Sequence, residues 1–413
     1  MKSITVNGGR RLNGRVRVGG SKNASLPILF ASLTTAGTFD IHNVPDIGDI
    51  RSAVKLLSEM GADVTFFKNT VRVNTERAEL TRLPVSLCGA MRASSYLIGA
   101  CLARFGEAMI PPVGGCDFGG RPLDMHIGAA VSLGAVLDSD RLVCKKLHGG
   151  EINFNIPSVG ATVNALIMSS SANGESVIRG AAREPHIVNL CDFLRAAGAD
   201  ISGDGSDVIT VRGCDSLVGR DICVIPDMIE AGTFAAAVMS AGGCVYMDGI
   251  SSDDLGPVYP LLGQLGAHIE ASGDTIFVSS DGDVLPACLT AAPYPGIPTD
   301  MHPQLAALLG VAPGRSKVCD TVWKNRFRYI DELSKMGYNI RRYENIAYID
   351  GVKSIHGAQV TSTDLRAGAA LIIASLRAEG RSDIAHSEII CRGYDGITDK
   401  LRSLGADIRD NDV

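Results

Sequence analysis

Residues 55–66 read KLLSEMGADVTF, and a variant of this stretch returns five more times along the chain. Each copy joins an amphipathic helix to Leu, Met or Ala, then to Gly, and then to a segment of alternating polarity. A glycine just past an apolar helix is the usual left-handed C-cap, and alternation predicts a strand. The copies lie about 70 residues apart, which exceeds the period of simple solenoid repeats. The glycines are Gly61, Gly134, Gly198, Gly266, Gly337 and Gly405.

A second element precedes each copy, and it is a helix built from small and apolar residues on nearly all sides. SVGATVNALIMSS at residues 158–170 and EAGTFAAAVMSAG at residues 230–242 are examples. Helices that are apolar all round are buried, whereas surface helices carry one polar face. A glycine-containing turn and a short strand follow each of them. The unit is therefore strand, buried helix, strand, outer helix and strand, and six such units predict an α/β fold.

Six units of this length divide into two domains of three units each. We expect one domain over residues 21–225 and a second over residues 1–20 together with 226–413. The N-terminal residues alternate like a strand, so we expect them to complete the second domain. No Pro-rich or Ser-rich linker separates the halves, so the chain should cross directly from one to the other.

Composition excludes several classes of protein. The chain has 413 residues, is 46% apolar and 20% charged, and carries a net charge of −6, which argues against general nucleic-acid binding. The N-terminus lacks the apolar core of a signal peptide, and no stretch is long enough to span a membrane. Eleven scattered cysteines without a CxxC pair indicate no metal site and a reducing cytoplasm. We expect most of them in the core, for example Cys101, Cys191 and Cys244.

A glycine-rich segment, PPVGGCDFGGRPLDMH at residues 111–126, carries the most reactive candidate. Glycines on both sides of Cys116 predict an exposed, mobile loop. Arg121 and the helix start that follows add positive potential, which favours a thiolate and attracts anions. An incidental cysteine on a surface loop is the alternative, and this segment alone does not decide between the two.

Cations stand at the starts of three of the buried helices. Lys22 opens the first, Arg92 the second and Arg366 the sixth. Helix N-termini expose backbone N–H groups, so a cation at such a position suits a phosphate or carboxylate ligand. Solvated helix ends are the ordinary alternative for any one of them. Their equivalent positions in the repeats favour convergence on one anion-binding cleft, which Arg392 in a later loop can join.

Two aspartates have an ambiguous role at helix starts. Asp300, in GIPTDMH, and Asp227, in IPDMIEAGT, each stand where a buried helix begins. Either can be a structural N-cap. Among cations, Asp300 can instead act as a general base toward a substrate hydroxyl, and Asp227 can orient a basic group.

These stretches together resemble the enolpyruvyl transferase superfamily, which is EPSP synthase-like, and most closely its branch that acts on UDP-N-acetylglucosamine. The resemblance covers essentially the whole chain. The segments that carry it are GGSKNASLPIL, NVPDIGDI, MRASSYLIG, GGCDFGGRPLDMH, SVGATVNAL, AAREPHIV, PDMIEAGT, PTDMHPQ, NRF, TDLRAGAAL and RGYDGITDKLRSLGA.

The resemblance implies a fold and a reaction. The fold is an inside-out α/β barrel of two domains, built from six βαβαββ-type repeats, with the active site in the interdomain cleft. The reaction moves the enolpyruvyl group of phosphoenolpyruvate to the 3-hydroxyl of UDP-N-acetylglucosamine and releases phosphate, the first committed step of peptidoglycan synthesis. It needs no metal or organic cofactor. We expect a cytoplasmic monomer that binds neither nucleic acid nor membranes.

The resemblance also implies roles for individual residues. Lys22, Arg121 and Arg392 correspond to groups that hold phosphoenolpyruvate. Cys116 corresponds to a general-acid thiol that fosfomycin alkylates, and Asp300 to the base for the sugar hydroxyl. The positions that match substrate-binding segments are Asn23, Arg92, Pro122, Leu123, Asp124, Met125, Ser158, Val159, Gly160, Thr299, Val322, Arg326, Asp364 and Arg366.

Some positions depart from the family pattern on the sugar-nucleotide side. Ile156 stands where the family often has a Lys, Tyr96 replaces a common Trp, and Trp323 alters the segment before Arg326. A related enzyme of the same chemistry that uses another nucleotide or sugar acceptor is therefore the second hypothesis. A non-catalytic, nucleotide-binding scaffold of the same fold is the third.

Overall fold

The computed structural model describes residues 2–80, 85–112, 114–115 and 122–412. Cys116 and Arg121 lie outside these residues. The α-helices are α1 Lys22–Ala31, α2 Gly48–Glu59, α3 Val85–Cys88, α4 Leu97–Phe105, α5 Asp124–Ser132, α6 Val159–Ser170, α7 Pro185–Ala197, α8 Met228–Ala241, α9 Ser252–Leu255, α10 Val258–Gln264, α11 His302–Leu309, α12 Tyr329–Ser334, α13 Leu365–Arg377 and α14 Ile397–Ser403. None of them is long and apolar enough to cross a membrane.

Short strands alternate with these helices. They are β1 Lys2–Asn7, β2 Leu12–Arg17, β3 Thr35–Ala36, β4 Thr38–His42, β5 Asp63–Phe67, β6 Thr70–Asn74, β7 Glu107–Met109, β8 Val136–Asp138, β9 Arg141–Val143, β10 Glu151–Asn153, β11 Glu175–Arg179, β12 Asp200–Ser202, β13 Val208–Arg212, β14 Leu217–Val218, β15 Ile222–Cys223, β16 Gly243–Asp248, β17 His268–Ser272, β18 Thr275–Ser280, β19 Cys288–Ala291, β20 Arg315–Asp320, β21 Asn339–Tyr343, β22 Ile346–Asp350, β23 Gln359–Thr361, β24 Arg381–Ala385 and β25 Asp407–Asp412.

The predicted glycine caps are confirmed at all six positions. Each of the six glycines follows an outer helix with a positive φ, between 84° at Gly61 and 121° at Gly198. Only glycine adopts this left-handed conformation without steric cost, and it turns the chain from the helix into the next strand. The repeat seen in the sequence is therefore a repeat of backbone conformation.

Five four-stranded sheets share one strand order, as expected for a repeated α/β unit. In β19–β20–β22–β21, the strand after the buried helix, β20, lies between a parallel strand and an antiparallel hairpin. The same order recurs in β10–β11–β13–β12 and β2–β16–β18–β17. The sheet of the second repeat along the chain has three strands, in the order β7–β9–β8. The predicted α/β fold of six repeats is confirmed.

Three of these sheets are completed by strands from distant parts of the sequence, and in one of them β2 lies parallel to β16, with Leu12 opposite Gly243. β1 lies between β24 and β25, with Ser3 opposite both Ala385 and Asn411, so the N-terminal strand completes the sixth repeat. β15 lies parallel to β4, with Ile222 opposite Ile41, and completes the first repeat. Contacts divide the described residues into two compact units, residues 20–225 and residues 2–19 with 226–412.

The buried helices form the interior of each unit. In one unit α8, α11 and α13 pack on one another, and in the other α4 packs on α6 and α1. Residues 229–240 of α8 and 365–376 of α13 are all buried, which confirms that these helices have no solvent-exposed face. Burial of each large apolar side chain contributes roughly 1.5–3 kcal/mol, so these helices supply much of the core's stability.

The expectation that most cysteines lie in the core is wrong for several of them. Cys101 and Cys191 are buried as expected, but Cys244 is exposed. Cys244 is the second residue of β16, where alternate side chains face solvent, and its Sγ lies 3.4 Å from Asn13 Oδ1. The outward position follows from the pleat of the strand, which a small-residue neighbourhood in the sequence does not reveal.

Candidate active site

Lys22 is not a solvated helix end. It is the first residue of α1, and its Nζ lies 2.7 Å from Asp49 Oδ2 in the first turn of α2. The two side chains are 12% and 7% exposed. Asp49 belongs to the quoted segment NVPDIGDI, but its pairing with Lys22 was not predicted. The pair gives a cation held in place at the N-terminus of a buried helix, as an anion site requires.

The backbone that leads into the Cys116 segment packs against the second repeat. A Cβ on Gly114 would lie 1.6 Å from Gly89 O, and one on Gly115 would lie 3.3 Å from Arg92 Cβ. Arg92 begins the 3₁₀ turn that precedes α4, and its Nη2 donates to Pro122 O at 3.4 Å. Glycine is required at position 114 because no side chain fits there. Arg92 thus contacts the described residues on both sides of the segment.

The start of α6 rests on a buried histidine that the sequence did not single out. Ser158 is the N-cap, and its Oγ accepts a hydrogen bond from Ala161 N. A Cβ on Gly160 would meet the His126 ring at 2.9 Å, so glycine lets the helix approach the ring closely. Burial, with the nearby Arg92 charge, lowers the His126 pKa to about 4. The imidazole is therefore neutral at physiological pH.

Asn164 fixes the orientation of that imidazole. Its Oδ1 accepts from Gly99 N at 3.0 Å, and its Nδ2 donates to Ser95 O at 2.9 Å. The same Nδ2 lies 2.7 Å from His126 Nδ1, which must accept because the amide nitrogen has no lone pair to offer. This places the ring proton on Nε2. Polar residues inside apolar helices were the signal in the sequence for this network.

Asp300 binds two arginines and does not cap a helix. It lies in the 3₁₀ turn Thr299–Met301, for which Pro298 is the N-cap residue. Its Oδ1 lies 2.7 Å from Arg326 Nη2, and its Oδ2 accepts from Arg366 Nε and Nη2 at 3.1 and 2.9 Å. The arginine side chains are 4% and 1% exposed, whereas Asp300 is 26% exposed. An ionised carboxylate therefore faces outward from two buried cations.

The pKa of Asp300 reflects these neighbours. Burial opposes ionisation, but the charges and hydrogen bonds of Arg326 and Arg366 outweigh it and hold the pKa well below its usual range. Burial would also lower the pKa of Arg366, but Tyr394, Asp300 and Asp227 together raise it. Arg366 lies over the Tyr394 ring, 5.0 Å from its centroid. All three members of the Asp300 cluster, Asp300 with Arg326 and Arg366, are charged at neutral pH.

Two aspartates near this cluster are helix caps. Asp227 Oδ1 accepts from Ile229 N and Glu230 N at 2.8 and 3.1 Å, which confirms the capping role. Asp364 Oδ1 accepts from Arg366 N and Ala367 N at 3.0 Å each. The cap on α13 therefore places Arg366 in the first turn of the helix.

Thr299 and Val322 are tied to Asp320, which the sequence did not single out. Thr299 Oγ1 donates to Asp320 Oδ2 at 2.6 Å, and Arg326 Nη1 donates to Thr299 Oγ1 at 3.0 Å. Val322 N donates to Asp320 Oδ1 at 2.8 Å. A fully buried aspartate at the end of β20 thus connects the turn that carries Asp300 to the segment that carries Arg326.

The other sequence-predicted residues fall at element ends. Asn23 follows Lys22 in α1, and Arg392 ends the 3₁₀ turn Ser387–Arg392. Leu123 is the N-cap residue of α5. The neighbours of Leu123 are partly or fully exposed, and they are Pro122, Asp124 and Met125. Val159 and Gly160 lie in the first turn of α6.

Comparison with known proteins identifies the family of this chain. Residues 6–401 match the EPSP synthase (3-phosphoshikimate 1-carboxyvinyltransferase) family. UDP-N-acetylglucosamine 1-carboxyvinyltransferase 2 of Clostridium acetobutylicum is 41% identical, over 99% of both chains. UDP-N-acetylglucosamine 1-carboxyvinyltransferase of Chlorobium limicola is also 41% identical, over 99% of this chain and 98% of that protein.

Solved structures show the same fold. The crystal structure of the enolpyruvyl transferase NikO from Streptomyces tendae superposes with a TM-score of 0.90 at 26% identity, over 99% of both chains. EPSP synthase from Acinetobacter baumannii superposes with a TM-score of 0.76 at 19% identity over the full length of both chains, a similarity of fold alone. The chain therefore belongs to the EPSP synthase family of enolpyruvyl transferases, and within it to the UDP-N-acetylglucosamine 1-carboxyvinyltransferases.

Proposed function

We propose that this protein transfers the enolpyruvyl group of phosphoenolpyruvate to the 3-hydroxyl of UDP-N-acetylglucosamine, releasing phosphate, as the first committed step of peptidoglycan synthesis. The observation that carries the proposal is the Asp300 cluster, in which an ionised carboxylate is held by two buried arginines. The names of relatives about 40% identical over nearly the whole chain support the choice of acceptor. The reaction proceeds in the cytoplasm, and the enzyme is a monomer.

Charge governs the binding of the donor. Phosphoenolpyruvate carries several negative charges, and removing them from water is costly unless cations compensate. Lys22, Arg121 and Arg392 bind its phosphate and carboxylate. The Asp49 contact holds Lys22 in place before substrate arrives, which reduces the ordering cost of binding.

The chemistry proceeds by addition and then elimination. The acceptor hydroxyl adds to C2 of phosphoenolpyruvate as a proton joins the methylene carbon, giving a tetrahedral ketal with a methyl group. Loss of a methyl proton and of phosphate then restores the double bond. Asp300 accepts the hydroxyl proton, Cys116 acts as general acid, and the arginines stabilise the charge that develops on the leaving group.

Asp300 has to become more basic during these reaction steps. Two arginines depress its pKa, and a carboxylate of such low basicity is a poor proton acceptor. Anionic substrate groups that attract Arg326 or Arg366 weaken their hold on the carboxylate. We infer that substrate binding prepares Asp300 to act as a base, which couples binding to catalysis.

A second acceptor class is favoured by one observation. Ile156 is 62% exposed, two residues before the N-cap Ser158 of α6, and it offers no charge to a nucleotide phosphate. An enzyme of the same chemistry with a different nucleotide acceptor fits that surface as well. The same donor site serves both hypotheses.

Phosphate release from phosphoenolpyruvate tests both hypotheses. We expect release with UDP-N-acetylglucosamine, and mass spectrometry should find the enolpyruvyl ether on the sugar. Turnover with UMP but not with UDP-N-acetylglucosamine would establish the second acceptor class and reject the first. Release with neither acceptor would favour the non-catalytic scaffold. Fosfomycin should add covalently at Cys116, and an unchanged mass after saturating treatment counts against a reactive thiol there.

A further inference from the structure

A buried polar chain lies behind the Asp300 cluster, and the proposed reaction gives it no role. Tyr329, His302 and Asp320 are each fully buried. They come from three elements, the start of α12, the start of α11 and the end of β20. Burying three polar side chains costs free energy unless they bond one another, so their pairing is informative.

Asp320 is the central residue of this set of buried polar side chains. Its Oδ1 accepts hydrogen bonds from the backbone N–H groups of Val322 and Trp323, at 2.8 Å each. Its Oδ2 accepts from Thr299 Oγ1, the residue before Asp300. One carboxylate thus fixes two loops, and the hydroxyl of Thr299 accepts in turn from Arg326. Burial opposes ionisation of Asp320, but its contacts with His302, the Thr299 hydroxyl and the Trp323 N–H outweigh it and lower the pKa.

The protonation of His302 follows from its two neighbours. Burial raises the pKa of Tyr329 well above its usual value, so its hydroxyl keeps its proton. Tyr329 Oη lies 2.9 Å from His302 Nε2, and the ionised Asp320 next to Nδ1 favours the tautomer in which Nε2 accepts a hydrogen bond from the hydroxyl. Burial also lowers the pKa of His302, so the ring is neutral and its one proton is on Nδ1. Nδ1 lies 3.4 Å from Asp320 Oδ2 and has no hydrogen-bond partner among the described residues, so its contact with the carboxylate is electrostatic.

We propose that Tyr329, His302 and Asp320 form a positioning network that holds Thr299 and Arg326 in register with Asp300. Tyr329 orients the imidazole, the imidazole orients Asp320, and Asp320 orients the hydroxyl that fixes Arg326. His302 also packs edge-on against Phe327, next to Arg326, with ring centroids 4.6 Å apart. The effect of this network on turnover rests on the proposed function, but its effect on Asp300 does not.

Replacing Tyr329 with Phe removes one hydroxyl and keeps the ring. Because the imidazole then loses the hydroxyl that orients it, we expect Tyr329→Phe to lower kcat about tenfold while KM for both substrates stays within about twofold. Tyr338→Phe is the matched control. Tyr338 is 5% exposed, and its Oη has no hydrogen-bond partner among the described residues. Equal kcat values for the two variants would overturn the proposal.

Carboxyl titration by ¹³C NMR tests the network without substrate. The charged groups that depress the pKa of Asp300 are Arg326 and Arg366. If Tyr329→Phe loosens Arg326, Asp300 should protonate at a higher pH than in wild type, whereas Tyr338→Phe should match wild type. An unchanged Asp300 titration in Tyr329→Phe overturns the network even if the enzyme proves active. If wild type releases no phosphate with any acceptor, the proposed function fails, but the Asp300 titration still tests the positioning network.

Two further measurements cover a variant that fails to fold. Asp320→Asn keeps the shape of the side chain and removes its charge. As with Tyr329→Phe, Asp300 should then protonate at a higher pH than in wild type. In the wild type, ¹⁵N NMR should find the His302 proton on Nδ1. A proton on Nε2 contradicts the contacts assigned to Tyr329 and Asp320 and overturns the proposal without any variant.

Discussion

Asp300→Asn should destabilise the protein as well as inactivate it. The substitution removes the negative charge that lies against both Arg326 and Arg366, and those side chains are 4% and 1% exposed. Leaving a buried charge without its partner costs about 3–5 kcal/mol. Because Asp300 is itself 26% exposed and an amide still accepts one hydrogen bond, we expect the lower end, about 3 kcal/mol.

Urea unfolding followed by tryptophan fluorescence measures this cost. Trp323 is the only tryptophan in the chain and lies three residues before Arg326, so it reports on the affected unit. With an m-value of about 2–3 kcal/mol/M, the midpoint should fall by about 1 M. The two units need not unfold together, so the comparison uses the Trp323 transition alone.

A surface aspartate provides the matched control. Asp350 also bridges two arginines, with Oδ1 and Oδ2 each 3.0 Å from Arg315 and Arg341, whose side chains are 90% and 75% exposed. Solvent screens such pairs, so Asp350→Asn should cost less than about 1 kcal/mol. If Asp300→Asn lowers the midpoint no more than Asp350→Asn does, the buried-charge reasoning is refuted.

The pH dependence of this stabilisation has a definite sign. The folded pKa of Asp300 lies well below the unfolded value of about 3.9, so its contribution is fully present above that value. It is lost as the pH falls through the folded pKa. The difference between wild type and Asp300→Asn should therefore stay constant between about pH 5 and 8, and a difference that varies across that range contradicts the assignment.

Three other predictions concern His126, the segment that carries Cys116, and the cysteines. Unfolded His126 binds a proton near pH 6.5 but folded His126 only near pH 4, so wild type should lose about 3 kcal/mol as the pH falls between these values, and His126→Gln should lack that loss. Gly114→Ala places a Cβ 1.6 Å from Gly89 O and should abolish labelling of Cys116 by fosfomycin, whereas Gly128→Ala, which meets no atom within 4 Å, should not. Alkylation of native protein should modify the exposed cysteines and spare the buried ones, Cys88, Cys101, Cys144 and Cys191, which mass mapping checks.

Identical stability curves against pH for wild type and His126→Gln contradict the buried, neutral imidazole. Full labelling of Cys116 in Gly114→Ala shows that the segment tolerates a side chain at that position. Modification of Cys191 in the native state contradicts its burial.

The candidate site divides into parts that local sequence predicted and parts that it did not. Lys22 at the start of α1 and Asp227 as a cap were predictable, because helix starts are marked by residues within one turn. Asp300 looked equally like a cap, and the structure resolves the ambiguity by pairing it with Arg326 and Arg366. Those partners lie 26 and 66 residues further along the chain, beyond the reach of any local pattern.

The sequence alone determined the repeated unit. Six glycines in one local context, and six helices with no polar face, specify the same turn and the same burial each time, because backbone sterics and periodicity act over a few residues. Only the tertiary structure decided the partners: Asp49 for Lys22, Asn164 for His126, and Asp320 between Thr299 and His302. Those pairings depend on which helices and strands pack side by side. Packing brings together residues that are far apart in the chain, and the sequence around each residue does not indicate its partner.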